Sequence, residues 1–400
     1  MIIVYLGSAL LLWLDKLLIT LREPGGDALS YLQMANWDWD ISNIMAAYRP
    51  LTPILTRVIY IITPLDTANS FELLTLLILF STSVMFYYFL RDLKFTLVLR
   101  ALGCFFLLQS SIFIYFVWNP WLVDPLALLI ILSSIWAIIR GKNRLYIILL
   151  VLAALNKEAY GYFTLPAFYV WNLEEGKIID WKLILKTALL ALIPTATILL
   201  IVHSEVIPQP TENMYGEGAT YWQIRLGSAS PKSLVEHTSK ARNMSFIKQD
   251  GVPHIIYGSW HALWIFAILG LTSIWKKRKY SRMWFPALLL LFTPWFMTPA
   301  RLSAIQFVFV IPFALWELQF LGENLSKITR IAGSITLILL YRLYSTFEIR
   351  DKAHIDNLEN LGMKLIFGSY YPVGFAVFFA TAPILLHVLA VLINKSVKKG

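Results

Sequence analysis

Ten apolar runs, each near the length of a bilayer crossing, recur along the chain at about 2–20, 71–90, 97–118, 121–139, 183–202, 255–274, 284–298, 302–321, 331–346 and 372–393. A hydrocarbon core of about 30 Å takes roughly twenty residues of helix. Inside it the backbone has no water to bond, so each run must close its own N–H and C=O groups as a helix. The gaps between runs are too short for a separate soluble domain of normal size. With 58% of residues hydrophobic and only 14% charged, the composition also lies outside that of soluble domains. The expectation is an all-α polytopic membrane protein, a single transmembrane domain over 1–400 built as a bundle of about ten to twelve helices. Residues 1–202 would form its core, with a first outer loop at 21–70; a second outer loop covers 203–254, and further helices fill 255–400.

A net charge of +10 could point to nucleic acid, but the basic residues gather in short loops between apolar runs: Arg140, Lys142 and Arg144; Lys276, Lys277, Arg278 and Lys279; Lys395, Lys398 and Lys399. That is the positive-inside pattern, and no nucleic-acid partner is expected. The lone Cys104 excludes an internal disulfide. The first run lacks a basic leader and a small-residue cleavage site, so it reads as a retained helix.

The segment 145–171, LYIILLVLAALNKEAYGYFTLPAFYVW, is long enough for one crossing yet carries Asn156, Lys157 and Glu158 in its middle. One crossing would put the basic WKKRKYSR (275–282) outside, against the charge rule; two short helices that enter and return keep it on the cytoplasmic side. A helix broken at membrane depth is tolerated where it lines a protein cavity. With a cytoplasmic N-terminus, the first loop, the NPW corner, the NKE tip, the 203–254 loop, TPAR at 298–301 and the 347–371 loop all face the outer side.

Polar residues in this greasy chain need reasons. Asp27 begins an amphipathic stretch after Gly25 and Gly26, where it suits either a helix cap or a carboxylate held at the bilayer edge. The 54–62 run is too short to span and reads as a second interfacial helix, with Pro50 and Pro53 of YRPLTP breaking the chain before it. WDWD at 37–40 offers either a D-x-D metal site or a Trp-anchored surface. Asn119 and Asp124 in NPWLVDP, with Lys157 and Glu158 in NKEAYG, sit where charge is costly and is usually paired, structurally or for function. Arg49 and Arg301 lie beside prolines at outer membrane edges, where each could bind substrate or reach lipid phosphates. Asp15, Lys16, Arg100, Lys186, Glu317 and Arg342 fall inside apolar runs and read as pairing or snorkelling residues.

GDALSYLQMA opening the first outer loop, then YRPLTP, NPWLVDPLALL and LNKEAYGYFTLP in that order, together resemble the integral membrane glycosyltransferases of the GT-C superfamily. The resemblance covers mainly residues 1–170, with TPARLSAIQFVFVIPFALWEL a weaker echo. It implies a polyprenyl- or dolichyl-phosphate sugar as donor and transfer with inversion to an acceptor hydroxyl on the outer or lumenal face; a hexose, mannose among the candidates, is the sugar class. Asp27 would be the catalytic carboxylate. Arg49, Lys157 and Arg301 would offset charge on the leaving phosphate, while Asn119, Asp124 and Glu158 would position the sugar or the cations. No metal and no cofactor is expected. The partners would be the lipid-linked donor, an acceptor of unspecified class and membrane lipids. A transporter or lipid-linked-sugar flippase is the alternative, with a membrane scaffold third.

Overall fold

The computed structural model describes residues 2–18, 21, 23–24, 27–39, 44–157, 159–174, 179–203, 263–275, 279–284, 304–325, 333, 337, 381 and 383–393. The described residues are mostly helical and include no strand. Among the described residues two helices, Thr67–Asp92 and Trp181–Ile201, are long and apolar enough to cross a membrane, or up to three spans if Leu97–Leu108 and Ile112–Trp118 count as one bent by 49°. Leu51–Ile62, Asp124–Ile139, Asn143–Asn156, Leu263–Ile274 and Pro383–Ile393 are shorter apolar helices. The expected runs at 284–298 and 331–346 lie outside the described residues, apart from Trp284, Gly333 and Leu337.

Helix α1 (Ile2–Leu18) runs antiparallel to α5 (Thr67–Asp92). The Tyr5 hydroxyl donates to that of Tyr88 at 2.9 Å, Ser8 and Ser83 share a hydrogen bond at 3.0 Å, and Lys16 pairs with Glu72. Asp15 accepts from Gln109 at 3.0 Å, so the charges that interrupt this apolar helix are paired inside the bundle. Three short helices, α2 (Asp27–Ala35), α3 (Ile44–Ala47) and α4 (Leu51–Ile62), bridge α1 to α5. Pro53 does not break the chain as expected: it lies in the first turn of α4, where a missing N–H costs nothing. Trp37 and Asp38 of WDWD form a helix stop. The Trp37 and Asp38 N–H groups return to the carbonyls of Met34 and Gln33, and Trp37 takes φ 70°, a conformation that normally falls to glycine.

The expected 97–118 span is two helices, α6 (Leu97–Leu108) and α7 (Ser111–Trp118), because the Ser110 side chain caps a new start. Helices α8 (Asp124–Ile139) and α9 (Asn143–Asn156) form an antiparallel hairpin closed at Gly141, whose φ of 65° satisfies the left-handed cap. Beside that turn Arg140 grips Asp92 with two bonds of 2.8 and 2.5 Å, fastening α8 to the end of α5.

Helix α9 stops at Asn156, and Lys157 is extended at φ −160°, ψ 103°. The chain then comes back along α9 as α10 (Ala159–Phe163) and α11 (Leu165–Asn172). Thr164 bonds Tyr146 at 2.9 Å and Phe168 stacks on the same ring at 5.4 Å, which places the second helix beside the start of the first. The chain thus folds back on α9 after Asn156. Helix α12 (Trp181–His203) turns again, with Thr195 bonding Tyr162 at 2.8 Å and Pro194 resting against Gly161.

Helices α13 (Leu263–Ile274) and α14 (Phe307–Asn324) pack backbone to backbone. A Cβ on Gly270 would lie 1.9 Å from the Phe313 carbonyl oxygen, and a carbonyl cannot swing away as a side chain can. Gly270→Ala is expected to cost at least the about 1–3 kcal/mol of ordinary overpacking. Thermal unfolding in detergent checks this, with a melting point equal to wild type as the contrary result.

Candidate functional site

The ends of α1 and α9 and the starts of α5 and α8 meet at one end of the bundle, and α2 to α4 lie across it. Asp27 is the first residue of α2 and half-buried, so its carboxylate sits at the positive end of that helix. Tyr31, one turn on and on the same face, is wholly buried. Its hydroxyl accepts a hydrogen bond from Arg49 Nη1 at 3.1 Å. Burial pushes the Tyr31 hydroxyl above its ordinary pKa and the Arg49 charge pulls the other way, so the phenol stays neutral. Burial works against the Arg49 guanidinium as well, but Tyr31, Asp27 and Asp124 together hold its pKa above the usual arginine value. One cation thus answers to carboxylates from two separate motifs.

Asp124 heads α8 beside Pro125 and is 1% exposed. Lys157 Nζ donates to its Oδ1 at 2.7 Å, and the Tyr160 hydroxyl donates to the same oxygen at 3.2 Å. The break after α9 makes this possible: a lysine continuing the helix would follow its surface, whereas the extended Lys157 reaches across to α8. Asn156, wholly buried, ties three segments together. Its Nδ2 donates to the Val123 carbonyl at 2.8 Å, and its Oδ1 accepts from Thr52 of α4 at 2.6 Å.

Four segments that are far apart in sequence, GDALSY, YRPLT, VDP and NKEAY, therefore close on one another. Asp27, Arg49, Asp124 and Lys157 form a cluster of two acids and two bases, formally neutral. Asn156, noted in the sequence only as part of the polar break, belongs to it, as do Tyr31, Tyr160 and Thr52, which were not singled out. The i, i+4 relation of Tyr31 to Asp27 is the one signal that could have found any of them. Asn119 lies in the corner that leads to α8, bonded through its amide to the Tyr115 hydroxyl at 3.2 Å. Glu158, Arg301 and Asp40 lie outside the described residues. Asp38 follows the far end of α2, about 13 Å of helix from Asp27. The second carboxylate of this site comes from α8.

Two further polar atoms lie in the corner that leads to Asp124. Asn119 Oδ1 and Trp121 Nε1 are buried without a hydrogen-bond partner among the described residues. Such an atom costs about 1–3 kcal/mol, and these two lie two residues apart. Away from this end, wholly buried Glu317 accepts from Ser273 at 3.1 Å and pairs with His387 at 2.7 Å. That pairing accounts for one of the acids in the apolar runs. Arg100 and Lys186 lie over the rings of Tyr87 and Phe168, and Arg342 is outside the described residues.

Compared with known proteins, the chain matches no family model and no curated protein.

Proposed function

We propose that this chain is a membrane glycosyltransferase of the GT-C type, with Asp27 as the base and the Arg49–Lys157 pair as the phosphate-facing cations, working at the outer or lumenal boundary of the lipid. The reading includes the fuller bundle of about ten to twelve spans expected from the apolar runs. The observation that carries it is the joint hold of Asp27 and Asp124 on Arg49, with Lys157 bridged to Asp124.

An acceptor hydroxyl is a weak nucleophile. As its oxygen bonds the anomeric carbon, its proton passes to the Asp27 carboxylate, and the bond from that carbon to the lipid phosphate breaks with its electron pair leaving on the phosphate. Attack opposite the leaving group inverts the centre. Negative charge grows on the departing polyprenyl phosphate, and donors already in place and screened from water stabilise it most. Guanidinium carries five N–H donors and ammonium three, so bonds to Tyr31 and Asp124 leave both groups chemically able to meet phosphate oxygens.

The test is release of polyprenyl phosphate by purified protein from a panel of polyprenyl-phosphate hexoses. Excess chelator is expected to leave the rate unchanged. A loss that manganese or magnesium restores would move the chemistry to Asp38 and Asp40.

A transport reading rests on the buried Ser273–Glu317–His387 group, since ionisable residues inside a bundle often mark a transport path. Reconstituted vesicles separate the two. Movement of a lipid-linked sugar without cleavage of its phosphate bond favours transport.

A further inference from the structure

We infer that Asn119 and Trp121 form a hydroxyl-reading corner that binds the sugar of the lipid-linked donor, with Trp121 a specificity residue; the inference rests on the glycosyl-transfer reading. Residues 119–121 are Asn-Pro-Trp, and their backbone is held from both sides. The Asn119 N–H donates to the Tyr115 carbonyl at 2.8 Å, and the Pro120 carbonyl accepts from Thr75 of α5 at 2.6 Å. Proline fixes its own φ between them. A corner fixed this firmly has no slack in which unspent polar groups would go unnoticed.

The unspent groups are specific. Asn119 is 5% exposed and uses one end of its amide on Tyr115, leaving the other end unpaired among the described residues. Trp121 is 6% exposed, and its indole N–H, a donor only, is unpaired as well. An anion could accept a hydrogen bond from the indole N–H but has none to donate to an amide oxygen. A cation has the reverse defect. A hydroxyl both donates and accepts, so a polyol satisfies both groups. The phosphate belongs elsewhere, among Arg49 and Lys157.

Position agrees with chemistry. Trp121 is three residues before Asp124, so the two backbones lie at most about 10 Å apart. A sugar ring linked to a phosphate beside Lys157 falls within that reach. The corner would thus read the ring while the charged cluster holds the leaving group.

The experiment measures two quantities in wild type, Trp121→Phe and Asn119→Leu: affinity for a polyprenyl phosphate with and without its hexose, and kcat/KM for the hexose donor and its monodeoxy analogues. Wild type is expected to bind the glycosylated lipid more tightly than the bare one, and to process at least one deoxy analogue about tenfold or more worse than its parent. In Trp121→Phe both differences shrink toward one, while affinity for bare polyprenyl phosphate is kept, which also shows that the variant folds. Asn119→Leu, which is expected to behave alike, carries the test should the phenylalanine variant fail to bind bare lipid. Turnover by wild type with full deoxy discrimination retained in the folded variants overturns the corner alone. No turnover of any donor by wild type overturns the transfer reading, and the corner falls with it.

Discussion

Asp27→Asn is expected to lower polyprenyl phosphate release by about 10²–10⁴-fold, the usual worth of a positioned general base. The substitution keeps the shape and removes the proton acceptor. Little else should change, since Arg49 still donates to the Tyr31 hydroxyl, and the core contacts of α2 come from Ala28, Tyr31, Met34 and Ala35. The loss should fall on kcat more than on KM, because the base acts as the acceptor proton moves and does little for the bound ground state. Donor binding is the control: a variant that binds glycosylated lipid as wild type does, and does not cleave it, places Asp27 in the chemistry. Unchanged turnover in that variant would remove Asp27 from the mechanism.

The parts of this site that could be read from sequence are those where physics penalises a residue. Lys157 and Asp124 stood out because charge inside an apolar run is costly, and the structure pairs them at 2.7 Å. The break at NKE stood out through loop charge, and the chain leaves its helix at Lys157 and folds back onto Tyr146. Pattern could not give the neutral partners. Tyr31, Asn156 and Thr52 are ordinary residues in helices, and their roles depend on which segments meet, a tertiary fact. Nor did apolar length show that Ser110 would restart the helix and split 97–118. A capping serine inside an apolar run is a local choice, and average hydropathy conceals it. WDWD left a metal site and a Trp-anchored surface open, and what pattern did not show is that the backbone at Trp37 and Asp38 terminates α2.

The Asp124–Lys157 bridge gives the second large effect and decides whether the cluster acts or merely holds helices together. Asp124 is 1% exposed at its side chain and Lys157 13%, so solvent screens the pair weakly. Asp124→Leu strands an ammonium and the Tyr160 hydroxyl in that setting, and should cost about 3–5 kcal/mol, the typical penalty for removing one partner of a buried pair. Removing both charges is a different matter. Asp124→Leu combined with Lys157→Met leaves no uncompensated charge and should recover much of the loss, since buried pairs replaced by apolar groups are often near neutral in stability. Thermal unfolding of the two single variants and the double variant in detergent measures the coupling, expected at about 0.5–3 kcal/mol for groups in contact. Activity then separates the two roles. If the bridge is only a strut, the double variant regains turnover as it regains stability; if Lys157 faces the leaving phosphate, the protein recovers its melting point and remains a poor catalyst.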